Sequence, residues 1–145
     1  DYGFVGDIDV VNTELLSKLL NDHFSVVIAP ITHNNIGQLL NTNADTIAQE
    51  IAKAMTNLFE VHLIYSFEKA GVLKDVADED SVIKEINPSN YIRLKEQNKI
   101  FQGMIPKLDN AFAALESGVK RIVIGNAEKL SELINGSSGT NIIHE

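Results

Sequence analysis

Strand-like apolar runs and helix-like periods alternate along this chain, and that alternation limits it to very few folds. "FSVVIAP", "VHLIYSF" and "KRIVIGN" are short and continuously apolar, as strands buried on both faces are. Between the first two, Ile47, Ile51, Ala54, Met55 and Leu58 recur at helical spacing from about Asp45 onward. Before the third, Leu108, Ala111, Phe112 and Leu115 share a helical face, and Gly118 is placed to end that helix in the left-handed region. The alternation predicts an α/β fold, a three-layer α/β/α sandwich around a mostly parallel sheet. Its strands should include Phe24–Ile28, Val61–Tyr65 and Arg121–Ile124, with helices on both faces.

Smaller signals fill in the connections. "NTELLSKLLNDH" and "NAEKLSELING" read as short amphipathic helices, the second stopped at Asn135-Gly136. Asn87 and Pro88 are an N-cap and a first helical residue. "THNNIGQ" reads as a hairpin or turn, and the tail "GSSGTNIIHE" as a loop with a short last strand. No repeat or linker interrupts 145 residues, so one domain is expected.

Composition then removes whole classes of function. Twenty acids against twelve bases give a net charge of −8, which argues against nucleic acid or an anionic membrane as partner. Without cysteine there is no disulfide and no thiolate metal site, and the four histidines lack metal-ligand spacing, so no metal ligands are assigned. The longest apolar run is far below the ~20 residues that span a bilayer. "DYGFVGDIDV" lacks the pattern of a secretion signal, and a cytoplasmic location is expected. A first residue that is Asp1 suggests a processed chain or a fragment.

Three polar seams could carry chemistry. In "GQLLNTNAD", an extended chain puts Asn41 and Asn43 on one face, and Asp45 falls in the first turn of the next helix. Asn43 and Asp45 can be read as a cap and a charge that suits the helix dipole. Asn41 has no such duty. In "FQGMIPKLDNAF", Gly103 allows close backbone approach, and Lys107 sits about one turn into a helix, where its charge opposes the dipole unless an anion binds there. In "SFEKAGVL", a buried strand ends and the chain turns at Gly71; Glu68 could accept from a ribose hydroxyl or simply pair with Lys69. Neither G-x-x-x-x-G-K-[ST] nor G-x-G-x-x-G occurs, so a nucleotide site would be of another design.

Taken together, "GFVGDIDVVN", "GQLLNTNAD", "GMIPKLDNAF" and "NGSSGT" resemble, in order and spacing, the C-terminal half of the acetylglutamate kinase branch of the amino acid kinase family. The resemblance runs nearly end to end. It implies transfer of the γ-phosphoryl group of ATP, with Mg²⁺, to the side-chain carboxylate of an N-acylglutamate in arginine synthesis, by a homodimeric parent enzyme. It further implies that Asn41 holds the acylglutamate, with Asn43 supporting its loop. Asp45 would organise the catalytic lysines, and Lys107 would neutralise the phosphoryl group in flight. Glu68, Gly71, Gly103 and Met104 would form the nucleotide side. Alternatives are an N-succinylglutamate acceptor, another amino acid kinase, or a catalytically silent nucleotide-binding module. The sequence departs from the branch at "FEKAG", where Phe67, Glu68 and Lys69 stand for a hydroxyl residue, an aspartate and an apolar residue. The branch's N-terminal half, with its glycine-rich phosphate loops, a further lysine and much of the acceptor pocket, has no counterpart in these 145 residues. On this reading Asn41, Asp45 and Lys107 converge at one rim of the sheet, and the chain alone folds without catalysing.

Overall fold

The computed structural model describes residues 3–75 and 77–145. Its four-stranded sheet has the order β3-β5-β6-β4, with β3 at His62–Phe67, β4 at Glu85–Ile86, β5 at Arg121–Asn126 and β6 at Thr140–Ile142. β3 and β5 run parallel, from His62 opposite Arg121 to Phe67 opposite Asn126. β4 and β6 are also parallel, while β5 and β6 are antiparallel. The sheet is therefore mixed with parallel pairs in the majority.

Helices cover both faces, as the alternation predicts. On one side lie α2 (Ala44–Met55) and α4 (Ile105–Glu116), which pack on each other, with α3 (Pro88–Glu96) beside them. Leu108, Ala111 and Ala114 of α4 are fully buried against Ile122, Ile124 and Ile86 of the sheet. The pleat sends Val123 to the other side, where Leu133 of α5 (Leu130–Asn135) is buried near it.

The terminating signals act as read. Asn87 accepts from the Asn90 amide at 2.8 Å with Pro88 in the first turn, Gly118 has φ +95° and Gly136 φ +79°. The tail contributes the short strand β6. "THNNIGQ" turns the antiparallel hairpin β1 (Ile31–His33) and β2 (Leu39–Asn41), its Asn34 side chain accepting from the amides of Ile36 and Gln38. Two boundaries shift. α2 stops at Met55, leaving Leu58 exposed in the following turn, and "NAEKLSELING" opens as a 3-10 turn before α5.

One expected strand does not form. Phe24–Ile28 is irregular chain outside any strand, with Phe24 at 61% and Val27 at 95% exposure. Apolar composition marks this segment for burial, but a strand also needs a neighbour to accept its ladder, and none lies beside it among the described residues. The preceding helix α1 (Thr13–Asn21) is capped by Asn12, whose side chain accepts from the Leu15 amide, yet none of its residues is buried. Residues 4–39 thus carry much of the exposed apolar surface.

A buried threonine ties the loop after β3 to the sheet. Thr140, fully buried, donates to the Ile83 carbonyl at 2.6 Å and accepts from the Val72 amide at 2.9 Å. Thr140→Val keeps the shape and leaves both backbone groups unpaired, so urea unfolding should show a loss of about 1–3 kcal/mol. An unchanged midpoint would mean that water replaces the hydroxyl there.

Candidate active site

Parallel strands followed by helices gather their carboxyl ends and the helix N-termini at one rim, the usual place for ligands in α/β sheets. Three elements meet there. The end of β3 delivers Phe67 and Glu68. A 3-10 turn, Gln102–Met104, feeds α4 and delivers Gly103, Met104 and, in the first turn, Lys107. The first turn of α2 delivers Asp45.

Lys107 Nζ donates to Asp45 Oδ2 at 2.6 Å, closing a contact between residues 62 positions apart. The two side chains are 17% and 36% exposed, so the pair is shielded more than a surface ion pair and still open to solvent on one side. Beneath it lies Tyr65, buried in β3. Its ring centroid is 5.0 Å from Lys107 Nζ, within cation–π range, and its hydroxyl donates to the Asp45 carbonyl at 3.4 Å. Burial, and secondarily the Asp45 charge, push the Tyr65 phenol well above its ordinary value.

Beside this pair lies a cavity of about 320 Å³, at the lower end of the range for small-molecule sites. Glu68, Gly71, Gly103, Met104 and Lys107 all line it, together with Phe67, Lys69, Val72, Leu73 and Phe101. The four residues expected on the nucleotide side therefore share one cavity with the lysine. Packing explains Gly71, where a Cβ would meet the buried Thr140 Oγ1 at 2.7 Å; one on Gly103 would meet only the exposed Phe101 ring, at 2.9 Å, which is free to move aside. Glu68 does not bond Lys69, which instead bonds Glu79 at 2.8 Å from the loop beyond Leu73. Lys69 and Glu79 hold each other charged, raising one pKa and lowering the other. The Glu68 side chain is left exposed, its backbone carbonyl accepting from Asn126.

The two asparagines do not line the cavity. Asn43 is the N-cap of α2, accepting from the Thr46 amide at 3.1 Å, so the capping reading holds for it. Asn41 ends β2 with an exposed side chain, while its backbone bonds Phe4 and Gly6. Between them Thr42 is buried, its hydroxyl donating to the Gly6 carbonyl at 3.0 Å and meeting the Thr32 hydroxyl at 2.8 Å.

Sequence reasoning missed Tyr65 and Thr42. Tyr65 was hidden in an apolar run that accounts for its ring but not its hydroxyl. Thr42 was hidden by asparagines whose spacing drew attention to the opposite face.

The raised phenol has a thermodynamic consequence. In the unfolded chain Tyr65 ionises near its ordinary pKa of about 10, whereas in the folded chain it stays neutral, so its contribution is complete below that value and is lost as pH rises. Tyr65→Phe removes the effect. Its stability should fall less steeply above about pH 10, by about 1.4 kcal/mol per pH unit relative to the wild type. Equal slopes in urea melts across that range would mean that the native phenol ionises freely.

The chain matches the amino acid kinase family over residues 1–126. It is 50% identical over 145 residues to acetylglutamate kinase from Cytophaga hutchinsonii, an alignment covering 99% of this chain and 55% of that protein. Its fold is similar to N-acetylglutamate synthase from Neisseria gonorrhoeae complexed with coenzyme A and L-arginine, with a TM-score of 0.83, 25% identity, and coverage of 98% of this chain and 33% of that one. Carbamate kinase from Giardia lamblia bound to AMP-PNP shares the fold at a TM-score of 0.73 and 17% identity, over 95% of this chain and 51% of that one. The chain spans about half the length of the curated relatives it matches. With the family match extending from the first residues through β5, and so across the Asp45–Lys107 pair and its cavity, the chain belongs to the amino acid kinase family.

Proposed function

We propose that this chain is the C-terminal, ATP-handling half of an enzyme that phosphorylates the side-chain carboxylate of N-acetylglutamate, a step of arginine synthesis. The observation that carries the proposal is the Asp45–Lys107 pair at the edge of the cavity between β3 and the start of α4. Phosphoryl transfer asks a protein mainly for positioning and for positive charge near the moving oxygens, and both reactants here are anions. Lys107 supplies that charge and Asp45 holds it. Asn41, exposed three residues before α2, binds the acylglutamate, and Asn43 acts indirectly, by capping the helix that carries Asp45. The nucleotide takes the apolar cavity, with its ribose toward Glu68 and its base and sugar against Gly71, Gly103 and Met104.

No group of three or more acidic or histidine side chains able to hold a metal ion occurs among the described residues. Magnesium would therefore arrive on the triphosphate, as it commonly does in such sites, neutralising phosphate charge. Asp45 bonds Lys107 rather than standing free for a cation.

The distribution of apolar surface supports the reading of one half. A groove lined by Val10, Leu15, Ile28, Ile31 and Ile47 lies beside the unpaired segment Phe24–Ile28. Contiguous apolar surface of this kind marks an interaction site. The remaining part of the family's fold is its occupant here, bringing the phosphate loops and most of the acceptor pocket.

The chain alone is expected to bind ATP weakly, at about 1 mM or poorer, on the scale of roughly −4 kcal/mol. ADP release should stay at background when N-acetylglutamate or N-succinylglutamate is offered, because donor and acceptor are not held in line. Adding the N-terminal half of the Cytophaga hutchinsonii relative in trans should restore turnover with the preferred acceptor. ADP release from the pure chain would refute the need for a second half. In the restored enzyme, Lys107→Ala should lower kcat about 10²–10³-fold with little change in ATP affinity, since its charge acts chiefly in the transition state. Equal losses in both would make Lys107 a binding residue only.

A further inference from the structure

Lys107 is held by more than its carboxylate. A lysine has a flexible four-carbon stem, and one ion pair fixes the distance of its ammonium from a single point while leaving its direction free. The face of Tyr65 supplies a second constraint, with the ammonium 5.0 Å from the ring centroid. The hydroxyl of the same ring donates to the backbone carbonyl of Asp45. One buried side chain therefore touches both partners of the pair, and it comes from the strand whose end opens into the cavity.

We infer that Tyr65 is a positioning residue, whose ring holds the Lys107 ammonium at the cavity edge, its hydroxyl adding only a long contact to the Asp45 carbonyl. A ring suits this duty better than a second acid would. Two carboxylates would satisfy the ammonium fully and leave little charge for an incoming anion. A neutral π face attracts the cation without cancelling its charge, and burial keeps the phenol neutral. The ring is itself fixed by the core, so the constraint costs no ordering at the moment a ligand arrives. Leu63, two residues earlier on the same face of β3, is packed in the same buried cluster. The inferred consequence for turnover rests on the kinase reading, whereas the positioning itself does not.

Two measurements separate these. In the isolated chain, the ε-methylene protons of Lys107, assigned with Lys107→Arg, should resonate upfield of those of the other lysines because they lie over an aromatic face. Tyr65→Leu or Tyr65→Met should abolish that displacement, and Tyr65→Phe should keep it. Two ring-free variants are used because either could destabilise the core, and circular dichroism identifies a folded one. A Lys107 resonance grouped with the other lysines in the wild type, or unmoved by loss of the ring, would overturn the positioning. In enzyme restored with the complementary half, the ring-free variant should lose about tenfold to a hundredfold in kcat, with KM for ATP changed less than about twofold. Tyr65→Phe should recover kcat to within about threefold of wild type. Equal changes in kcat and KM, or no recovery by phenylalanine, would overturn the role in turnover. A restored wild type without ADP release would sink the kinase reading, and the resonance of Lys107 would still decide the positioning.

Discussion

The parallel pairing of β3 with β5 is the constraint from which the site follows. Two parallel neighbours cannot be joined by a tight turn, so the chain must leave β3 at Phe67, cross the sheet face and re-enter at Arg121. That crossover carries α3 and α4, and α4 begins at the same rim where β3 ends. α2 leads into β3 and packs along α4, so its own start falls at that rim as well. Asp45 and Lys107 each occupy the first turn of their helix, and the topology brings them within 2.6 Å. No local motif could do this across 62 residues.

Two helix starts side by side would, by their dipoles alone, make a cationic patch. Adding Lys107 raises that charge, and Asp45 offsets it. The net result is a polar rim with one carboxylate and one ammonium beside an apolar cavity. Its polar groups are anchored on regular structure rather than on loops, which limits their movement. The loop after β3 is less rigidly built, and it is pinned by other means. Thr140 ties it to the sheet at Val72 and Ile83, and the Lys69–Glu79 pair crosses it near the cavity. The pair starts from Lys69, in the stretch of residues 67–69 that departs from the pattern the sequence otherwise resembles. The lysine there makes its close contact with Glu79, outside the motif, and Glu68 stays exposed.

Much of this was legible because local and global preferences agree. α2 and α3 start at the caps Asn43 and Asn87, α2 and α4 carry clear apolar periods, Gly118 turns the chain after α4, and β3 and β5 are apolar runs that pair in parallel. The convergence of Asp45 and Lys107 was reached through family resemblance, since spacing alone places each near a helix start and says nothing of their distance. Phe24–Ile28 was misread because strand pairing is a property of two segments, and only one was in view. Tyr65 escaped for the reverse reason: its ring satisfied the pattern so well that its hydroxyl raised no question. Asn43 takes up the capping duty that its place before an apolar period suggests, accepting from the Thr46 amide.

The uneven burial of the chain gives the site its setting. From α2 onward, side chains from α2, β3, α4 and β5 form one core, whereas residues 4–39 lie on the surface with Phe4, Val10, Val27 and Ile36 well exposed. β2 lies at the boundary, with Asn41 its last residue, and Thr42 immediately beyond it bonds back to Gly6 and Thr32. The polar seam is thus a joint between a part that can hold its shape by burial and a part that cannot. Asn41 itself is held by backbone bonds to Phe4 and Gly6 and by its pairing within the hairpin. Asp45 and Lys107, on the core side of the joint, are already set. The two sides of the candidate site therefore differ in what organises them: core packing and an ion pair on the lysine side, and the backbone hydrogen bonds of the hairpin on the Asn41 side.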